Sequence, residues 1–147
     1  MTTLDLFRHD FVLSIKPEYA IKIVEGVKKV ELRRRFPPGT VTGARLYVYA
    51  TVPVQALIGF ATISGVDCLP VNDIWRLYSE VACIEREDFD AYYRGLSAGY
   101  VIMLKDVVQL SRPVPLTILK EKIGFTPPQS FAYADDGFRQ IVSGDLK

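Results

Sequence analysis

Between Gly26 and Arg33 the chain reads Gly26-Val27-Lys28-Lys29-Val30-Glu31-Leu32-Arg33, which places an ammonium, a carboxylate and a guanidinium close together. From Lys29 to Arg35 polar and apolar residues alternate, so an extended segment turns Val30 and Leu32 to one face and Lys29, Glu31, Arg33 and Arg35 to the other. There Glu31 can orient the Arg33 guanidinium while other donors stay free for a base or a phosphate. Lys28, in the turn just before, can approach the same ligand, and Arg34 and Arg35 extend the basic patch outward, where they can follow a phosphate backbone. The same residues also suit a solvated strand face whose charges discourage edge association. If the site is catalytic, Lys28 and Glu31 are the candidate reacting pair, with Glu31 as a general base and Glu80, Glu85 or Glu87 as a second carboxylate. Those later glutamates read first as exposed helix charges.

The neighbouring segments must position this cluster. Phe11 to Ile15 suits a short buried strand, and Pro17 fits the first position of a helix on which Tyr19, Ala20, Ile23, Val24 and Val27 recur at helical spacing, with Gly26 near its end. After the Pro37-Pro38-Gly39 turn, Ala44 to Ala50 and Ala56 to Val66 read as strands joined through Pro53. Asn72 or Asp73 is expected to cap a helix with Ile74, Leu77, Tyr78 and Val81 on one face, where Trp75 serves packing. Phe89, Tyr92 and Tyr93 mark another helix ending near Gly95. Tyr100 to Leu110 reads as a long apolar strand, Leu116 to Lys122 as helical, and Pro127-Pro128 as the start of an extended tail. Tyr47, Tyr49 and Tyr100 offer stacking faces to a base, although strand tyrosines more commonly pack inward.

Composition sets the outer bounds. At 147 residues the chain suits one domain over 1–147 with a proper apolar core, and no repeat or linker divides it. Its apolar residues are not gathered into a membrane-spanning run, and the N-terminus lacks the pattern of a secretory signal, so a cytoplasmic location is expected. A net charge of +1 gives no global field for steering nucleic acid, so any basic surface is local. His9 is the sole histidine and reads as a solvated residue, which disfavours histidine triads and multi-histidine metal sites. Cys68 and Cys83 are read as buried, reduced core residues. No metal or cofactor is called for.

Gly26, Lys28, Glu31 and Arg33 resemble the G-x-K-x-x-E-x-R pattern of ASCH domains, members of the PUA-like superfamily. The resemblance extends through Leu13-Ser14-Ile15-Lys16-Pro17, the Thr51-Val52-Pro53 turn and Pro127-Pro128-Gln129-Ser130-Phe131. It implies an α+β fold, a mixed and largely closed β-barrel with peripheral helices, and a cleft bordered by the first helix and the motif strand. It further implies that RNA or a modified nucleotide binds there, contacted by Ser14, Lys16, Lys28, Glu31 and Arg33, with Arg34 and Arg35 outside; a protein partner or homodimer is also compatible. Replacing Lys28 or Arg33 is then expected to weaken RNA binding with little change in melting temperature. Some ASCH-like proteins hydrolyse acetylated cytidine with a lysine and a threonine. Lys28 matches that lysine, but Glu31 stands at the threonine position, so the same covalent route is closed to this chain.

Overall fold

The side-chain alternation of the charged segment survives in the structure, but both of its faces are covered. The computed structural model describes residues 9–37 and 41–144. Its strands are β1 (Asp10–Ile15), β2 (Val30–Arg33), β3 (Arg45–Ala50), β4 (Ala56–Pro70), β5 (Ala98–Pro115) and β6 (Phe131–Ala134), and its helices α1 (Pro17–Val24), α2 (Val71–Ala82), α3 (Arg86–Tyr92), α4 (Leu116–Ile123) and α5 (Asp136–Ser143). The strands form one mixed sheet in the order β2-β5-β4-β3-β1-β6. Only the β1–β3 pair is parallel, with Leu13 opposite Val48; the other ladders are antiparallel.

Burial on both faces explains the continuous apolar run of β3. Leu46, Val48 and Ala50 pack with Leu13, Ile15 and Ile23 beneath α1, whereas Tyr47 and Tyr49 pack with Leu57, Leu119 and Phe138 beneath α4 and α5. On β2, Val30 and Leu32 enter a third cluster with Ile74, Phe89 and Tyr93 from the α2–α3 layer. Glu31 and Arg33 therefore face the α1 side.

This architecture is α+β, as the sequence suggests, but the described ladders do not join the end strands β2 and β6. Side chains span the gap instead. The Arg33 guanidinium reaches Ser130, just before β6, and the Phe36 ring lies 5.6 Å from that of Phe131.

Several local expectations are corrected. Helix α2 begins at Val71, whose N–H donates to Ser97, so neither Asn72 nor Asp73 caps it; Asp73 pairs with Arg76 instead. Leu77 is exposed, while Ile74, Tyr78 and Val81 turn inward. Trp75 packs against Phe89. The tail is not merely extended: β6 pairs with β1, and Asp135 caps α5 by accepting from the Gly137 N–H. Strand β5 runs on to Pro115, and its second half is largely exposed. Cys68 is exposed on the outer part of β4 and Cys83 is half-buried at the end of α2, so neither is a core residue. His9 is exposed beside the Tyr133 ring. Pro38 and Gly39 of the expected turn lie outside the described residues. Among the described residues no helix is long and apolar enough to cross a membrane.

The seat of α1 on the sheet depends on one small residue. A Cβ added at Gly59 would lie 2.5 Å from the Val108 carbonyl oxygen and 2.6 Å from Cγ1 of Val24, the last residue of α1. Backbone and a buried side chain both block it, so Gly59→Ala is expected to cost at least about 1–3 kcal/mol. Denaturant melts of the two proteins test this; unchanged stability would show that α1 is not held by that approach.

Candidate functional site

A cleft of about 790 Å³ opens between α1, the motif strand and α3, and the turn after β3 and the Pro127–Gln129 segment complete its walls. Its floor is a row of alternating charge. Arg33 Nη2 donates to Glu31 Oε2 at 2.8 Å, and Lys28 Nζ lies 3.7 Å from Glu31 Oε1. The three residues are 2%, 6% and 8% exposed for Lys28, Glu31 and Arg33, so the solvated-face alternative is overturned. Burying a carboxylate is tolerable only where opposite charge and hydrogen bonds replace its water, and this arrangement supplies both.

Each cation is tied to a further element. Lys28 Nζ donates to the carbonyl of Ala82, the last residue of α2, where the helix dipole favours positive charge. It also lies 5.2 Å from the centre of the Tyr19 ring. Arg33 Nη2 donates to the Ser14 carbonyl at 3.2 Å, and Nη1 donates to Ser130 Oγ at 3.3 Å. Among the described residues no acceptor meets the buried Arg33 Nε. Ser14 in turn donates its hydroxyl to the Pro128 carbonyl at 2.6 Å, fixing the tail against β1. The guanidinium is thus largely engaged by the protein, and its Nη groups are not free forks for a phosphate.

Ser14, Lys16, Lys28, Glu31 and Arg33 all line the cleft. Arg34 and Arg35 are exposed and lie outside the lining. Glu80, Glu85 and Glu87 are exposed and do not enter it. Glu18 and Asp88 are the further carboxylates that do, and no motif marked them because both occupy ordinary first-turn helix positions. Of the tyrosines considered, Tyr49 lines the cleft, while Tyr47 and Tyr100 do not. Tyr19 and Tyr92 complete the aromatic wall, although their spacing marked them only as helix residues. Tyr92 is fixed by the Arg34 N–H, which donates to its hydroxyl at 3.1 Å. Gln129 lines the cleft and Phe131 packs into the core, so the tail both walls the site and seals the sheet. Among the described residues no group of three His, Cys, Asp or Glu side chains is placed to hold a metal ion.

A family model described as the ASCH domain matches residues 13–111. The chain belongs to the ASCH family. This ASCH domain is 38% identical over 127 residues to a protein of Zymomonas mobilis named ASCH domain-containing ribonuclease, covering 86% of this chain and 84% of the relative. The crystal structure of ASCH from Zymomonas mobilis superposes with a TM-score of 0.86 at 34% identity, over 94% of this chain and 96% of that one. Human THYN1, solved in complex with DNA containing 5-methylcytosine, shares the fold at a TM-score of 0.55 and 12% identity, over 95% of this chain and 98% of that one. These likenesses agree with the ASCH and PUA-like resemblance carried by the motif.

Electrostatics within the ASCH cleft set Lys28 apart. Desolvation by burial lowers its pKa from the ordinary 10.5; Glu31 and Cys83 oppose the shift, and Arg33 adds to it. Burial raises the Tyr19 hydroxyl, reinforced by Glu18, Asp88, Glu31 and Glu85, and raises the Tyr92 hydroxyl as well. Between the lowered Lys28 value and 10.5 the unfolded chain holds a proton that the folded chain has lost, so stability climbs with pH across that window. The stability difference between wild type and Lys28→Met is therefore expected to move in favour of wild type as pH rises from 7 towards 10.5, by at most about 1.4 kcal/mol per pH unit. A flat difference across the range would show that the ammonium is not desolvated. The burial also revises an expectation: truncating Lys28 or Arg33 leaves Glu31 under-paired, so such variants lower the melting temperature rather than leaving it unchanged.

Proposed function

We propose that this domain binds RNA and holds one unpaired nucleotide in the cleft. The observation that carries the reading is the Lys28–Glu31–Arg33 row at the floor of a nucleotide-sized recess walled by Tyr19 and Tyr92. A base has two π faces for the tyrosines and an edge of donors and acceptors for Glu31, Ser14 and Gln129. The Zymomonas relative named a ribonuclease supports RNA as the ligand class. The reading takes 1–147 as one PUA-like domain of the cytoplasm; the side-chain bridge from β2 to the β6 end supports a barrel-like closure.

A second reading, cleavage of the bound RNA, is favoured by the lowered pKa of Lys28, which brings its neutral amine closer to physiological pH. In that reading the neutral Lys28 amine takes the proton of a ribose 2′-hydroxyl as its oxygen bonds to the adjacent phosphorus, the P–O5′ bond breaks and the departing oxygen takes a proton from water, while Glu31 holds the lysine in place. Glu31 itself is bound by both cations, which removes it from the role of free base expected above.

Labelled single-stranded RNA, followed by fluorescence anisotropy and by gel, tests both readings. Tyr92→Ala is expected to weaken binding by about 5- to 150-fold, the worth of about 1–3 kcal/mol for one base stack, while Tyr92→Phe retains it. Failure of the wild type to bind RNA at low salt would reject the function. Binding without cleavage products, or products undiminished in a folded Lys28→Met variant, would reject the catalytic role alone.

A further inference from the structure

The charges lining the cleft balance: Lys16, Lys28 and Arg33 stand against Glu18, Glu31 and Asp88. Two of the three cations are committed to the protein itself, Lys28 to Ala82 and Glu31, and Arg33 to Glu31, Ser14 and Ser130. Glu18 and Asp88 are exposed at the mouth and act on the Tyr19 hydroxyl, so that end of the recess is negative. A phosphate placed inside meets like charge at the mouth and, at the floor, cations whose donors are largely held by the protein, the buried Arg33 Nε being the donor left over. Apart from that Nε, the cations of the cleft and its edge that no acceptor holds among the described residues lie at the rim or outside. Lys16 is exposed at the junction of β1 and α1, and Arg34 emerges beside the Tyr92 wall through its backbone bond to the Tyr92 hydroxyl. Arg35 is exposed next to it.

From this division, and resting on the RNA reading above, we infer that the recess takes only the base of a nucleotide, while Lys16 and Arg34 hold the flanking phosphates outside it. Binding of the base then depends on stacking and hydrogen bonds that salt hardly screens. The salt dependence of the complex arises from the rim. This assigns the two residues that position the RNA strand and makes the ligand an extruded nucleotide of a continuous strand, not a free polyphosphate.

The test uses a labelled single-stranded RNA of mixed sequence, about ten nucleotides long, confirmed intact by gel, with affinity measured over a series of KCl concentrations. Each phosphate contact on a single strand contributes about 0.7 to the slope of log K against log salt. Lys16→Ala and Arg34→Ala are each expected to flatten the slope by about 0.7. Lys122→Ala, which removes an equal charge from α4 outside the lining, is expected to leave it alone, and so is Lys28→Met, which weakens binding equally at every salt. If Lys28→Met does not fold, Tyr19→Ala, which removes a ring of the cleft wall without touching the Arg34 anchor, takes its place with the same expected pattern. Slopes unchanged in both rim variants, or flattened in Lys28→Met, would overturn the assignment and put the phosphate inside. Wild-type protein that binds no RNA at any salt would instead remove the RNA reading on which the assignment rests.

Discussion

A carboxylate buried between two cations is the constraint around which this domain is arranged. Glu31 is 6% exposed, and in a poorly solvated setting its charge must be matched by Lys28 and Arg33. Each of those cations then needs acceptors of its own, and each finds them on a different element: Lys28 at the end of α2, and Arg33 on β1 and on the residue before β6. The ion row thereby ties the motif strand, at one end of the sheet, to the β1–β6 end and to a helix of the opposite layer. Satisfying one charge fixes the relative positions of four segments.

That arrangement limits which chemistry the floor can do. Donors already held by the protein are well oriented but are not available in number to a ligand, so the row acts as a rigid polar surface more than as a charged clamp. At Lys28 desolvation outweighs the attraction of Glu31 and moves the proton equilibrium down. A site with a balanced set of charges is better matched to a neutral, hydrogen-bonding base than to a polyanion. The aromatic wall of Tyr19 and Tyr92 supplies the remaining requirement, a face on which such a base can stack.

Much of this was legible in the residues because it depends on local periodicity. The period-two alternation of Val30 to Arg33 put Glu31 and Arg33 on one side, and Pro17 and Gly26 bounded the short helix beside them. Burial was not legible, since nothing in the motif states that α1, α3 and the Pro127–Gln129 segment close over the charged side; those walls come from parts of the chain far apart in sequence. Glu18, Asp88 and Tyr92 escaped for the same reason, each being unremarkable on its own helix and significant only through its neighbours in space. The tail was read only in part: Pro127 and Pro128 signal extended chain, which the strand β6 continues, whereas its pairing with β1 and the helix capped by Asp135 follow after the prolines have ended. Cys68 shows the converse error: residue type argued for the core, but the outer part of β4 has no layer to cover it.

The spacing of the motif follows from the same geometry. Gly26 takes a φ of +80°, which turns the chain out of α1 without the steric cost another residue would meet. Two residues later Lys28 sits before the strand, at the point where its ammonium can reach both the C-terminal carbonyl of α2 and the carboxylate three positions on. Glu31 and Arg33 are separated by two because only that interval returns a strand side chain to the same face, and their contact at 2.8 Å depends on it. Moving the carboxylate by one residue would send it into the Ile74, Phe89 and Tyr93 cluster, where no cation waits. Glycine, lysine, glutamate and arginine at those intervals are thus one solution to a single problem: how to leave a helix, enter a strand and bury a charge on the way.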